Sequence, residues 1–194
     1  MSENSNDRRV RRTKKLMREG LMQLMQTKPV KDISVKELSD LVDINRGTFY
    51  LYYRDIFDMV RTLENELFES IGEIIVRFTD SAEQPGILAF FTALLLFVRE
   101  NSSLFKLLIG PNGDSQFSQR LSDIVRENYR MKLHATKTDI DETEFNHKYS
   151  FAIFGLIGLI HYWLQQDCAE PVESLAATAT DMTVSVFMLK KAPL

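Results

Sequence analysis

The stretch SVKELSDLVDINRGTFYLYY, residues 34–53, decides the fold of the first part of the chain. Ser34 can cap a helix, and Glu37 follows three residues later, which is the pattern of a capping box at a helix N-terminus. Apolar residues then recur at helical spacing, so a short helix is predicted. Asp43 can adopt the left-handed backbone conformation that a tight turn requires. A second helix is predicted to begin beside Asn45, which is a favourable N-cap residue.

The second of these helices has two different faces. Phe49 and Tyr53 are four residues apart, so they share an apolar face that can pack on the rest of the domain. The opposite face carries hydrogen-bond donors, and Gly47 lets the backbone approach a partner closely. Two helices joined by a tight turn, with donors on the second, predict a helix that enters the major groove of DNA. The residues predicted on this face are Arg46, Gly47, Thr48, Tyr50 and Tyr52.

The stretch from about Arg12 to Val60 resembles the DNA-binding domain of TetR-type bacterial transcription regulators. Two departures from the family pattern are visible. Asp43 replaces the usual turn glycine, and Ile56 replaces a basic residue near the start of the fourth helix, so Arg54 is expected to supply the phosphate contact instead. The residues that carry the resemblance are Ile33-Ser34-Val35, Leu38, Leu41 to Tyr50, and Tyr52-Tyr53.

Composition is consistent with an all-α chain of two domains. The 194 residues include only five Pro and eight Gly, and no sustained alternation of apolar and polar residues predicts strands. Polar residues followed by helix breakers at 79–86 mark the clearest boundary. Together with the resemblance, these features predict a three-helix DNA-binding domain at residues 8–69, with its motif at about 33–52. A helical effector and dimerisation domain is predicted at 70–194.

Charge is distributed unevenly along the chain. Residues 1–61 carry 13 Lys and Arg against 9 Asp and Glu, whereas residues 62–194 carry 11 against 18. A basic first domain joined to an acidic body indicates that only the first domain meets a polyanion. The basic run from Arg8 to Arg18 is either a solvated arm or a set of phosphate contacts, and the adjacent motif favours the second reading. The further predicted DNA contacts are Arg11, Arg12, Thr13, Ser34, Lys36, Asn45 and Arg54.

The last two helices are predicted to join two subunits. The helix expected at 142–166 is apolar on every side near its centre, so it is buried in a core or between a core and a partner. The helix expected at about 172–190 repeats apolar residues at spacings of four and three, which is typical of a packing seam. In the family that the chain resembles, the last two helices commonly form a four-helix dimer interface. The residues predicted in it are Ala152, Gly155, Leu175, Ala179, Met182 and Val186.

An effector pocket is a second interpretation of the long apolar helix, and ordinary core packing is the alternative for each residue. The resemblance to effector-responsive regulators favours a pocket without identifying its ligand. His161 and Tyr162 would be the polar members of a lining predicted as Phe97, Phe151, Phe154, His161 and Tyr162. Residues 105–114 and 162–164 also resemble a subgroup of the family that includes a dihydroxyacetone-kinase operon activator.

Catalysis has no positive signal in the sequence. A nucleophile elbow and a glycine-rich phosphate loop are both missing, so we expect neither an enzyme nor a cofactor. The three histidines, at 134, 147 and 161, have no partners at metal-ligand spacing, so no metal site is predicted. Cys168 is the single cysteine, which rules out an intramolecular disulfide. The longest apolar run is short for a membrane span, and a cytoplasmic protein is expected.

The sequence therefore predicts a homodimeric transcription regulator that binds a palindromic operator in double-stranded DNA. Repression released by an unknown effector is the preferred mechanism. The alternative is an activator, or an adaptor whose second domain responds to a partner protein instead of a small molecule. A large exposed apolar patch outside the dimer interface would favour the adaptor, and an enclosed cavity would favour a small ligand.

Overall fold

The computed structural model describes residues 5–80, 86–110, 116–135 and 141–188, and every regular element within them is helical. The predicted all-α fold is therefore confirmed. The helices are α1 (Ser5–Met25), α2 (Val35–Leu41), α3 (Arg46–Tyr50), α4 (Ile56–Asp80), α5 (Ile87–Glu100), α6 (Ser102–Ile109), α7 (Phe117–Ala135), α8 (Glu142–Gln165) and α9 (Val172–Met188), with a 3-10 turn at Val30–Asp32.

The start of the chain differs most from the predicted elements. Helix α1 begins at Ser5 instead of about Arg9, so the basic run from Arg8 to Arg18 is helical throughout. Asp7 lies in the first turn, where an acidic side chain interacts favourably with the helix dipole. The basic side chains are therefore displayed on a helix and not on an irregular arm.

The described residues form two compact units. One unit contains those within Met1–Asn65 and Leu107–Ser115, and the other contains those within Glu66–Lys106 and Gln116–Leu194. The boundary between residues 65 and 66 lies inside α4, a few residues before the expected limit at 69 and 70. The grouping of the end of α6 with the first unit was not expected, because no local pattern indicates it.

Close packing of α1 and α2 in the first unit depends on the missing side chain of Gly20. A Cβ atom at this position would lie 2.3 Å from Val42 Cγ1 and 3.0 Å from Leu38 Cδ1. Leu21 of α1, Leu38 of α2 and Phe49 of α3 are fully buried. The three helices therefore share one core, and this core holds the inner side of α3 in place.

Helix α9 of the second unit packs against α5 and α8, while α8 also packs against α7. Two polar contacts join elements that are distant in the sequence. The hydroxyl of Tyr149 in α8 donates to the carbonyl oxygen of Ser122 in α7 at 2.6 Å. Lys106 Nζ donates to Asp167 Oδ1, which follows α8, at 2.5 Å. The buried hydrogen bond of Tyr149 ties α8 to α7, whereas the exposed pair of Lys106 and Asp167 contributes little to stability.

Four phenylalanines form an aromatic cluster inside the second unit. Phe117 stacks on Phe68 with ring centroids 5.2 Å apart, and its edge-on neighbour Phe105 lies at 6.2 Å. Phe97 contacts Phe105 edge-on at 6.0 Å. The guanidinium of Arg120 lies 5.9 Å from the ring centroid of Phe68, close enough for a cation–π interaction. This cluster includes one side chain of α4, the helix that crosses the boundary between the units.

Among the described residues, no single helix is long and apolar enough to cross a membrane. Helices α5 and α6 reach the required length and composition only as a pair, and they are bent by 88° at the break between them. Within the same part of the chain, no three His, Cys, Asp or Glu side chains lie together as metal ligands would.

Candidate DNA interface and subunit surface

The first helix of the motif begins with the predicted cap. The side chain of Ser34 accepts a hydrogen bond from the Glu37 backbone N–H at 3.1 Å, as a capping box requires. The carboxylate of Glu37 does not return to the Ser34 backbone. It instead accepts two hydrogen bonds from Lys28 Nζ, at 2.5 and 2.6 Å. This ion pair ties the start of α2 to the segment that follows α1.

The turn between α2 and α3 has the conformation expected from Asp43. Its φ is 53°, in the left-handed region. The backbone N–H of Ile44 donates to the carbonyl oxygen of Ser39 at 3.0 Å, the six-to-one bond of a Schellman motif. Asp43 therefore occupies the position where glycine is usual, and α2 ends there without a glycine.

Helix α3 is held at both its start and its inner side. The Asn45 side chain accepts from the Gly47 backbone N–H at 2.7 Å. A Cβ atom at Gly47 would lie 3.1 Å from the same Asn45 oxygen, so the glycine also leaves room for the cap. Phe49 is fully buried, and its ring centroid lies 5.6 Å from that of Tyr53. The inner face predicted from these two aromatic residues is thus the one that packs.

The outer face of α3 consists of exposed and half-buried residues. Arg46 and Gly47 are exposed, and the side chain of Tyr50 is 58% exposed. Thr48 and Tyr52 are half-buried. Leu51, which ends the helix in an α conformation, is 77% exposed. Leu51 was not among the residues predicted on the outer face, because that prediction looked for hydrogen-bond donors and Leu51 is apolar.

Helix α1 adds basic groups next to the end of α3. Lys14 Nζ lies 5.8 Å from the ring centroid of Tyr52, which places this side of α1 beside the motif. Arg11 and Arg12 are exposed, as phosphate contacts must be. Thr13 is half-buried, and its hydroxyl donates to the Arg9 carbonyl oxygen at 3.0 Å. The hydroxyl proton of Thr13 is therefore already used inside α1, whereas Lys14 belongs to the basic run that was predicted to contact phosphates.

Arg54 was expected to replace the basic residue missing at Ile56. Its guanidinium instead lies 3.1 Å from Asp58 Oδ1, and its backbone N–H donates to Asp58 Oδ2 at 2.9 Å. The backbone hydrogen bond, and then the guanidinium, hold the pKa of Asp58 below its ordinary value of 3.8. Ile56 is buried in the first unit. A phosphate would have to compete with Asp58 for Arg54, which weakens the expected contact.

The remaining predicted contacts lie at the start of α2 and at the N-cap of α3. Lys36 is exposed in the first turn of α2, and Ser34 is exposed at its N-terminus. Asn45 is exposed as well, although its side-chain oxygen is engaged in capping α3. Polar groups of both helices thus accompany the outer face of α3.

A second exposed surface lies on the last two helices. In α8, exposed residues recur at spacings of three and four, which places them on one side of the helix. Phe151 is 72% exposed and Tyr162 is 63% exposed, and Met188 of α9 is 76% exposed. We call this the α8–α9 surface; its members are Phe151, Phe154, Gly155, Gly158 and Tyr162 of α8, with Met182, Ser185 and Met188 of α9.

The residues that are exposed to a partner subunit differ from those that were predicted in the dimer interface. Gly155 and Met182 are exposed on it, as a dimer interface requires. Leu175 and Ala179 are each only 2% exposed, because they point into the packing of the second unit. Ala152 and Val186 are half-buried at the edge of the α8–α9 surface. The apolar residues of α9 that were predicted to contact a second subunit are therefore largely packed inside the second unit.

The predicted effector pocket is not assembled by the fold. Phe151 and Tyr162 point to the outside of the second unit, and Phe154 is 45% exposed on the same side. His161 is half-buried, and its Nε2 lies 3.2 Å from Gln165 Nε2 on the exposed part of the same helix. Only Phe97 faces inward, where it joins the aromatic cluster. The helix was apolar on every side, so its periodicity did not distinguish inside from outside.

Known proteins resemble the chain over both units. The family model of a TetR-type transcriptional regulator C-terminal region matches residues 87–185, about half of the chain. The uncharacterized HTH-type transcriptional regulator YxbF of Bacillus subtilis (strain 168) is 23% identical over 167 residues. That match covers 82% of this chain and 42% of the relative, so the chain spans less than half of the relative's length.

Solved structures share the helical arrangement. A TetR transcriptional regulator from Streptococcus agalactiae 2603V has a TM-score of 0.63 and 21% identity, covering 92% of this chain and 97% of that one. The dihydroxyacetone kinase operon activator DhaS has a TM-score of 0.57 and 15% identity, covering 89% and 94%. At these identities the similarity establishes the fold only. With the family model matching half of the sequence, the chain belongs to the TetR family of transcription regulators.

Proposed function

We propose that two copies of this chain bind a palindromic operator and repress transcription until an effector releases them. The outer face of α3 carries the proposal, because a capped helix held from behind presents Arg46, Gly47 and Tyr50 to solvent. Arg can donate two hydrogen bonds to guanine, and Tyr can donate to a phosphate. Exposed Arg11, Arg12 and Lys14 of α1 would add phosphate contacts.

Dimerisation through the α8–α9 surface is the second part of the proposal. Exposed Phe151, Phe154 and Met188 form an apolar surface that water solvates poorly, and Gly155 and Gly158 allow another helix to approach. A second copy offers the same surface, so a twofold axis there would pair like with like. Two α3 helices about 34–36 Å apart would then match one turn of DNA.

Regulation would use α4, which begins directly after the motif and carries Phe68 into the aromatic cluster. An effector that displaced a ring of this cluster would shift α4, and a small shift would change the separation of the two α3 helices. Repression is the simplest result of operator binding, because a bound dimer excludes other proteins from the promoter. We place this activity in the cytoplasm, where such a regulator reaches DNA.

Activation is the second candidate function. The structurally similar protein DhaS is a dihydroxyacetone kinase operon activator. Activation needs an extra surface for a partner protein, and Ile87 and Leu88 at the start of α5 are apolar and 40% and 49% exposed. A transcription assay with purified polymerase separates the two functions, since added protein lowers transcript in one case and raises it in the other.

The DNA-binding proposal can be tested by selecting an operator from a randomised duplex library. Arg46→Ala is expected to cost about 1–3 kcal/mol and to relax selectivity at one base position in each half-site. Tyr50→Phe should weaken binding to all sequences similarly. The control is Arg77→Ala, which removes an exposed arginine of α4 in the second unit. Unchanged affinity and selectivity in both α3 variants would contradict the proposed interface.

A further inference from the structure

Among the described residues of the first unit, Leu51 is the most exposed large apolar side chain, at 77%, and it ends the recognition helix α3. Its position relative to the core is informative. Helical residues two positions apart are about 160° apart around the axis, so Gly47 and Leu51 both lie nearly opposite buried Phe49. Because Gly47 has no side chain, Leu51 is the side chain of α3 that points most directly away from the core.

A leucine at this position makes its most favourable contact with an apolar group on a base edge. The edges of adenine, guanine and cytosine in the major groove present hydrogen-bonding groups, which lose water without compensation when they are covered by a hydrocarbon. Thymine instead presents its 5-methyl group there. An apolar side chain that reaches the groove therefore favours thymine over the other three bases.

We infer that Leu51 is a specificity-determining residue that reads a thymine 5-methyl group in each half-site of the operator. The inference rests on the proposed DNA-binding function of α3. Arg46 lies five residues earlier, about 7.5 Å along the helix axis. Base pairs are about 3.4 Å apart, so Leu51 and Arg46 can reach different base pairs of the half-site.

Replacing thymine by uracil removes the methyl group and leaves base pairing unchanged, so it isolates the contact. In an operator duplex selected with the parent protein, each thymine is changed to uracil in turn, in both half-sites. In each half-site, uracil at one position should lower the affinity about fourfold. This is the effect expected when one methyl group is no longer buried. Changing both symmetric positions should lower it roughly fifteenfold, if the half-sites contribute independently.

Protein variants test whether the loss of affinity caused by uracil depends on the side chain of Leu51. In Leu51→Ala the penalty for uracil should disappear, whereas Leu51→Met, which keeps a long apolar side chain, should retain it. Leu88→Ala is the matched control, since Leu88 is also an exposed leucine but belongs to the second unit. Circular dichroism should show the parent helix content in all three variants, because none of these side chains is buried.

Two results would overturn the inference: no thymine whose replacement lowers parent affinity, or a uracil penalty that persists in Leu51→Ala. The first depends on the parent protein alone, so it does not require a folded variant. Failure of the parent to select or bind any duplex would refute the DNA-binding function itself, and the inference with it. A duplex that binds tightly and is indifferent to uracil would refute only the role of Leu51.

Discussion

The outer face of α3 and the α8–α9 surface are both exposed sides of helices whose other sides are buried, yet their chemistry differs. The face of α3 offers the donors Arg46 and Tyr50 around a bare backbone at Gly47. The α8–α9 surface offers rings and thioethers around two glycines. Base edges and phosphates require hydrogen bonds, whereas a second copy of a helix pair requires apolar contact and close approach. Exposure identifies a surface, and its chemistry indicates the partner.

The two surfaces also differ in how they are supported. Local hydrogen bonds from Ser34 and Asn45, and the left-handed turn at Asp43, set the direction of α3. Only packing against α7 and α9 determines which side of α8 is exposed. Substitutions that remove a single local contact should therefore impair the outer face of α3. The α8–α9 surface should instead be impaired by substitutions that add bulk or charge to its exposed side.

The largest effect is expected for a charge placed on the α8–α9 surface. Phe154→Arg would bury an unpaired guanidinium between two subunits, at a cost of about 3–5 kcal/mol. We expect the dimer to dissociate to folded monomers in sedimentation experiments and operator affinity to fall with it. Leu88→Arg is the control, because Leu88 is 49% exposed and Phe154 is 45% exposed, but Leu88 lies on α5. Unaffected dimers of Phe154→Arg would place the subunit interface elsewhere.

An intermediate effect is expected at Gly20, which supports the DNA surface from behind. Gly20→Ala brings a Cβ atom to 2.3 Å from Val42 Cγ1, so either the Val42 side chain or the packing of α1 on α2 must shift. Such overpacking should lower the free energy of unfolding by about 1–3 kcal/mol. Adding Val42→Ala should recover part of this loss in urea denaturation experiments, because it removes the clashing methyl group.

Gly155 provides the contrast with Gly20 on the other surface. No atom lies within 4 Å of the position that a Cβ would take at Gly155. Gly155→Ala should therefore leave the subunit fold intact and change only the dimer dissociation constant. If Gly20→Ala were as stable as the parent, the close approach of α1 and α2 would be more adaptable than the structure indicates.

The smallest effect is expected for the ion pair of Arg54 and Asp58. Because the pKa of Asp58 in the folded state is lowered from 3.8, its stabilising contribution is complete at pH values above 3.8. That contribution is lost as the pH falls through the lowered value. Arg54→Ala should move the pKa of Asp58 only part of the way back in an NMR titration, since the backbone N–H of residue 54 remains. Full recovery would show that the guanidinium acts alone.

Operator binding distinguishes Arg54 from Arg46 at neutral pH. The Arg54 guanidinium already has a carboxylate partner, so Arg54→Ala should cost less affinity than Arg46→Ala. Equal losses would mean that Arg54 leaves Asp58 to bind a phosphate, as the sequence originally suggested.

The helix-turn-helix and the all-α fold follow from patterns in the sequence. A cap such as Ser34 or Asn45 bonds a backbone group two or three residues away, and the turn at Asp43 depends on the conformation of one residue. Interactions of such short range are contained in the local pattern and can be read without knowledge of the rest of the chain.

Which side of α8 and of α9 faces outward depends on the packing of distant helices. The centre of α8 is apolar on every side, so its periodicity does not distinguish Phe151, which is exposed, from Ile157, which is buried. In α9 the most regular apolar seam, which includes Leu175 and Ala179, is used inside the subunit. The physical reason is that burial depends on which helices pack against each side, and those helices are far away in the sequence.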